Sequence, residues 1–332
     1  ERDGRILLLG EVVLNTRASA AAAKPQPVNE VNPLKVKKTF DDALVAAKVA
    51  FLTGCFATEP LRDAQGRVAG AAVANKSGRQ AVVAKAVIDA TERAEFSRAA
   101  GAQARPFPAG THAFTRFVIA QEAPKADGMR VSECLGLYGA DGAKEGGKGR
   151  LYACALSLPM RDASPASFAE AEQKARDLTF VPSVLDASDR LFFVPPDPLV
   201  CEASLAGGPV DPATVALDAF RPKGVHHLFV LGLMADVPRD AAQALADPAR
   251  AMTLGARIGE AAAAEAKRRG PLAGVRLAGD GATPSAARVS DTPGAIHVRA
   301  VAKSSAAVPA EARALPELGA CDVLVVGAGT GG

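Results

Sequence analysis

The chain has 332 residues, 39 Lys and Arg against 36 Asp and Glu, and a net charge of +3. That balance argues against a nucleic-acid or anionic-membrane partner. An apolar fraction of 48 % suits a globular protein able to bury a core, and the length suggests two domains.

No apolar run reaches the roughly 18 residues of a membrane span. The cysteines Cys55, Cys134, Cys154, Cys201 and Cys321 are scattered without C-x-x-C, and the four histidines without H-E-x-x-H. Neither a metal site nor a disulfide framework is expected.

In chain order, residues 4–14 read as one buried strand or two short ones, followed by a polar loop to Asn32. Asn32 as N-cap and Pro33 at the first helical position predict a helix. Leu34, Phe40, Leu44 and Ala47 form its apolar face, and a strand is expected at 49–53. Residues 57–61 and 68–75, joined by the turn Asp63-Ala64-Gln65-Gly66, read as a β-hairpin. The turn at 75–78 then leads into a strand through 80–90. Its end, Ala86-Val87-Ile88-Asp89-Ala90-Thr91, is a β-branched run closing in small polar residues. A parallel strand ends this way where its carboxyl edge faces a ligand. A helix is expected at 92–100.

Strands are expected at 115–120, 150–158, 191–194 and 199–205, with a helix at 164–178 and an exposed Gly- and Lys-rich loop at 139–149. Strands without alternating helices imply an inserted antiparallel sheet. Residues 225–231 then read as a buried strand, followed by the turn Gly232-Leu233-Met234-Ala235-Asp236. Asp247 and Pro248 open a long helix to about residue 269, whose Ala251, Gly255, Gly259 and Ala263 recur every four residues. Such a stripe of small side chains permits close backbone approach. Residues 271–320 read as a linker with one strand at 296–301. The final stretch, from Cys321 to Val326, is a buried strand that runs into G-x-G-x-x-G at Gly327, Gly329 and Gly332. In a dinucleotide-binding βαβ unit those glycines serve the turn, pyrophosphate approach and helix packing.

Two separated segments resemble the FAD-dependent oxidoreductase family, whose FAD-binding domain has the glutathione-reductase-type fold. One is the helix, strand, three-stranded meander and Asp89-Ala90-Thr91-Glu92 corner, including the wording from Gly70 to Ala81. The other is the strand at 228–231, the Gly232–Asp236 turn and the Ala/Gly helix around 250–261. The resemblance implies an α/β fold: an incomplete FAD-binding Rossmann-like domain with a three-stranded meander, plus an inserted, mostly antiparallel β domain. Residues 1–105 would form the second half of the FAD domain, 106–220 the insert covering the substrate, and 221–270 the return. Residues 271–320 would be the linker, and 321–332 would open a second dinucleotide-binding unit.

By the same resemblance the cofactor is FAD, the chemistry is hydride transfer and the partner is a small-molecule substrate. Ala57 would lie beside the adenine, and Asp89, Ala90 and Thr91 near the dinucleotide. Glu92 stands where the family has Gly and adds a charge there. Gly232, Ala235, Asp236, Gly255 and Gly259 would serve the ribityl and phosphate groups. No catalytic acid or base is named. His112 and Arg116 are candidates, Arg116 for a substrate carboxylate, and each also reads as an ordinary structural side chain. Glu1 and the interrupted fingerprint point to a piece of a longer protein, so cytoplasmic and exported locations both stay open. Glu92, and the lack of a full fingerprint in the first 100 residues, also suit an alternative, a non-catalytic module derived from a flavoprotein.

Overall fold

A computed structural model describes residues 33–138, 148–277 and 314–327, apart from residues 189, 206 and 209. The expected strands at 4–14 and 296–301, the Asn32 cap, most of the Gly- and Lys-rich loop, and Gly329 and Gly332 lie outside these residues.

Helix α1 (Pro33–Ala46) opens the described chain. The strand expected at 49–53 is absent: the segment is irregular, and Val49, Phe51 and Leu52 are exposed. An apolar run gains nothing from extension unless a neighbouring edge accepts its hydrogen bonds. The meander follows as β1 (Phe56–Arg62), β2 (Val68–Asn75) and β3 (Gly78–Asp89), all antiparallel. Asp63 builds the first turn by accepting from the backbone N–H groups of Gln65 and Arg67 at 3.0 and 2.9 Å. At Gly70 (φ +129°) a Cβ would stand 2.1 Å from the Val82 carbonyl oxygen, so only glycine lets β2 and β3 close here.

A short helix α2 (Glu95–Ala99) follows β3, starting later than residue 92 because Ala94 is left-handed. Next comes the second sheet: β4 (Gly110–Ala120), β5 (Arg130–Tyr138), β6 (Gly149–Met160), β7 (Val184–Ala187) and β8 (Phe192–Phe193). It is antiparallel in the order β5-β6-β4-β7, with β8 also on β4. Helix α3 (Pro165–Thr179) covers it. Ser164 caps α3, its hydroxyl accepting from the Ser167 N–H at 3.2 Å, with Pro165 at the first helical position.

The strand expected at 199–205 is not formed. Its backbone is satisfied across loops, with Leu199 N–H donating to Met234 C=O and Leu205 N–H to Asp236 C=O. From Leu199 onward, Cys201, Val210, Val215 and Phe220 pack in the core of the first sheet. The chain therefore rejoins that body before residue 220. Strand β9 (Leu228–Val230), α4 (Arg239–Leu245), α5 (Pro248–Arg268), β10 (Arg276–Leu277) and β11 (Glu317–Val326) complete the described elements. The first sheet runs β10-β1-β2-β3-β11, with β9 also paired to β3.

Two expectations change here. The small-residue stripe of α5 is half-buried, and the helix packs instead through Leu254, Ile258, Ala262 and Ala266. A Cβ at Gly259 would meet nothing within 4 Å, and one at Gly255 only the Leu231 side chain at 3.4 Å. The heavier apolar side chains, one position along, gain more from burial than the glycines do. Second, residues 321–326 do not stand apart as a separate unit. They form the end of β11, which lies parallel to β3 in the first sheet.

A buried ion pair ties the body together. Arg269, just past α5, donates to Asp63 at 2.6 Å and to the carbonyls of Val68 and Lys85 at 2.7 and 2.6 Å. Burial works against the Asp63 charge. Arg269 and Arg67 outweigh it and hold the carboxyl well below its ordinary value.

Candidate functional site

Three parallel strands end together. β3 pairs with β9 through Val87, Ile88 and Asp89, and with β11 as far as Val326 opposite Asp89. Past their ends the Leu231 N–H donates to the Asp89 carbonyl at 2.8 Å, and the Ala90 N–H to the Val326 carbonyl at 2.7 Å. Thr91 is the meeting point. A Cβ added to Gly327 (φ +84°) would sit 2.5 Å from the Thr91 methyl, and one added to Gly232 (φ +151°) would be 3.9 Å from its carbonyl. In open α/β sheets, ligands bind outside the carboxyl ends of such strands. Ala90, Thr91, Gly232 and Gly327 give this edge small side chains or none, and the space a Gly327 Cβ would need is filled by Thr91.

Asp89 sets the corner from inside. It is fully buried and accepts from the Thr91 N–H (3.0 Å), the Thr91 hydroxyl (2.5 Å), and the N–H and hydroxyl of Ser97 (2.6 Å each). Burial pushes its pKa up against the pull of those four bonds. The Thr91 hydroxyl also accepts from the Glu95 N–H at 2.9 Å, which starts α2. Asp89 thus orients Thr91 and presents no charge to the edge.

Glu92 is exposed, and its carboxylate is paired with Arg190 at 2.6 Å. Arg93 lies over the Phe168 ring at 4.0 Å, and Arg98 pairs with Asp197 at 2.9 Å. The second sheet and its flanking segments therefore lean on the residues just after the corner.

Asp236 faces inward. It is 3 % exposed and accepts from Arg105 and Ser204 at 2.9 Å and from the Cys201 N–H at 3.2 Å. Its neighbour Ala235 is fully buried, its carbonyl taken by Arg239 at 2.7 Å. Arg239 also binds the carbonyls of Pro195, Leu233 and Val237, so this one guanidinium shapes the turn. Burial raises the Cys201 thiol to about 12, which leaves it unreactive.

Ala57 is in register with Val73, and through it with Gln80, at the far end of β3 from Asp89. Gly255 and Gly259 are on α5. His112 is held by the Pro108 carbonyl at 2.9 Å, with Phe107 and Phe193 against its ring. Arg116 donates to the Thr179 hydroxyl at 2.6 Å and borders a cavity of about 310 Å³ with Arg176, Phe180 and Asp186. The structure thus brings together Asp89, Ala90, Thr91, Gly232 and Gly327. Gly255 stands beside this group, against the Leu231 side chain, whereas Ala57 lies at the far end of β3 and His112 and Arg116 belong to β4 of the second sheet. Sequence reasoning missed Arg105 and Arg239, which carry no motif and are found only through what they bind. Among the described residues no group of three or more His, Cys, Asp or Glu could hold a metal, and no helix is long and apolar enough to cross a membrane.

Residues 8–115 match the family model described as FAD dependent oxidoreductase. No curated protein matches the chain. Among solved structures it is similar to CabE, an aromatic hydroxylase from angucycline biosynthesis (14 % identity, TM-score 0.39, 68 % of this chain and 44 % of that one). It is also similar to OxyS anhydrotetracycline hydroxylase from Streptomyces rimosus (10 %, 0.35, 62 % and 37 %). A third is a geranylgeranyl bacteriochlorophyll reductase-like protein from Thermoplasma acidophilum (15 %, 0.33, 68 % and 54 %). The chain spans between 37 % and 54 % of the length of these proteins.

Proposed function

We propose, from the match of residues 8–115 to the FAD dependent oxidoreductase family model, that this protein binds FAD along the Thr91 edge and serves flavin redox chemistry on a small-molecule substrate. The observation that carries the reading is the convergence of β3, β9 and β11 at Thr91, with small residues on all three strand ends. Ala90, Thr91 and Gly232 fit close approach of a dinucleotide backbone, while Gly327 lets the end of β11 close on Thr91. Asp236 does not fit the role the resemblance gives it, because Arg105, Ser204 and the Cys201 N–H take its carboxylate. Bound at this edge, FAD would supply the hydride-accepting ring. The protein would supply position, and Arg190 would screen the Glu92 charge. The segment around Phe168, Arg190 and Asp197, which leans on the corner, is the side from which substrate groups would come.

The test is a titration of the purified chain with FAD, followed by flavin fluorescence and the visible flavin bands after desalting. Retained, reducible flavin supports the reading. A folded chain, by circular dichroism, that retains none refutes it. The engaged Asp236 carboxylate favours a second reading, a non-catalytic module that keeps the fold without the cofactor, and the same refuting outcome would support it.

A further inference from the structure

We propose that the cavity between the end of α3 and strand β7 is a second ligand site, one that takes a short apolar monocarboxylate and holds its charged end with Arg116 and Arg176. The site lies outside the Thr91 corner and does not rest on the FAD reading.

The cavity, of about 310 Å³, opens where α3 stops and the chain returns as β7. That volume is at the small end for a ligand pocket. Fully buried Val118 on β4 lines it, and so do Phe180 and Leu185, which are 67 % and 48 % exposed. Large apolar side chains left this open gain free energy when an apolar ligand covers them. The charged lining residues are Arg116, Arg176 and Asp186. Two guanidinium groups against one carboxylate favour a single negative charge over a dianion. Arg116 is fixed in direction. Its Nη1 donates to the Thr179 hydroxyl at 2.6 Å, and its Nε to the Ser188 carbonyl at 3.4 Å. The Thr179 hydroxyl in turn donates to the Ala175 carbonyl at 2.7 Å. These partners are uncharged, so they aim the guanidinium and leave its charge in place. A guanidinium fork aimed in advance loses less freedom when it takes a carboxylate. Arg176, exposed in the last turn of α3, brings the second guanidinium from the helix side. Asp186 has one oxygen engaged by the Ala187 N–H at 2.8 Å. The helix itself separates this site from the corner. Phe168, near the start of α3, meets Arg93 of the corner segment, and Arg176 comes just over two turns later, roughly 12 Å along the axis.

The test is a saturation-transfer NMR titration of the full chain with hexanoate, set against hexanamide, acetate and inorganic phosphate. Hexanoate should bind saturably, and hexanamide, which lacks the charge, at least about tenfold more weakly. Acetate, which lacks the apolar body, should also bind more weakly. Arg176→Gln should weaken hexanoate at least about tenfold, and Phe180→Ala should weaken hexanoate but not acetate. Both substitutions are at exposed positions, so circular dichroism should stay that of the parent. No saturable hexanoate binding, equal binding of hexanamide, tighter binding of phosphate, or an affinity unchanged in Arg176→Gln each overturns the proposal. Displacement of hexanoate by FAD would assign it to the Thr91 corner and overturn the proposal too. A chain that binds hexanoate but takes up no FAD upholds it and sinks only the FAD reading.

Discussion

Replacing Asp89 with Ala tests whether the corner is organised from within. The carboxylate is fully buried and accepts four hydrogen bonds, two from Thr91 and two from Ser97. Ser97 is itself fully buried, so its N–H and hydroxyl would both lose their acceptor with no water to replace it. Each such orphan costs about 1–3 kcal/mol. Thr91 is half-buried and can turn to solvent. Relief of a buried charge, whose cost shows in the raised pKa, offsets part of the loss. The expected net loss is about 2–4 kcal/mol, a large share of the roughly 5–15 kcal/mol that stabilises a domain. Asp89→Asn keeps the volume and one accepting oxygen, and should lose about half as much. The chain has no Trp, so the assay is urea unfolding followed by far-UV circular dichroism at neutral pH. An Asp89→Ala variant within about 0.5 kcal/mol of the parent would refute this account, since that is the range of an ordinary surface change.

Arg269→Leu removes one partner of a pair in which both side chains are at most 5 % exposed, and leaves Arg67 as the remaining charged partner of Asp63. The expected cost is about 3–5 kcal/mol in the same assay, and a loss below about 1 kcal/mol would contradict it. Ile258→Ala, at a fully buried site on α5, should cost about 2–5 kcal/mol, whereas Gly259→Ala should be neutral or stabilising, because a Cβ there meets nothing. Glu265 accepts from His227 and Arg221, which hold it down to about 2 from an ordinary 4.5. A carboxyl depressed on folding contributes fully above its unfolded value, and that contribution fades as pH falls through the folded one. The stability gap between the parent and Glu265→Gln should therefore be about 3 kcal/mol near neutral pH and shrink between pH 4.5 and 2. A gap that does not change with pH would show that the pairing is not ionic.

Local chemistry was legible in the sequence wherever a few adjacent residues decide the outcome. The Asp63 turn, the Ser164 cap with Pro165 and the long helix opening at Pro248 follow from side chains that satisfy or remove nearby backbone N–H groups. The small polar ending of β3 marked the Thr91 corner for the same reason. Partner choice was not legible. Residues 49–53 are as apolar as a strand yet stay unpaired, and 199–205 spend their backbone bonds on loops far away in sequence. Asp236 has the sequence context of a cofactor ligand, but Arg105, 131 positions away, turns it inward. The glycine strand likewise read as the start of another unit. Only the fold places it on β3, because which edge accepts a strand depends on the burial and hydrogen bonds of the whole sheet. Composition, caps, turns and the small-residue corner were thus determined by the sequence itself. Which strands meet at Thr91, and which carboxylates remain free to face a ligand, was decided by tertiary structure alone, since those contacts join residues that no local pattern connects.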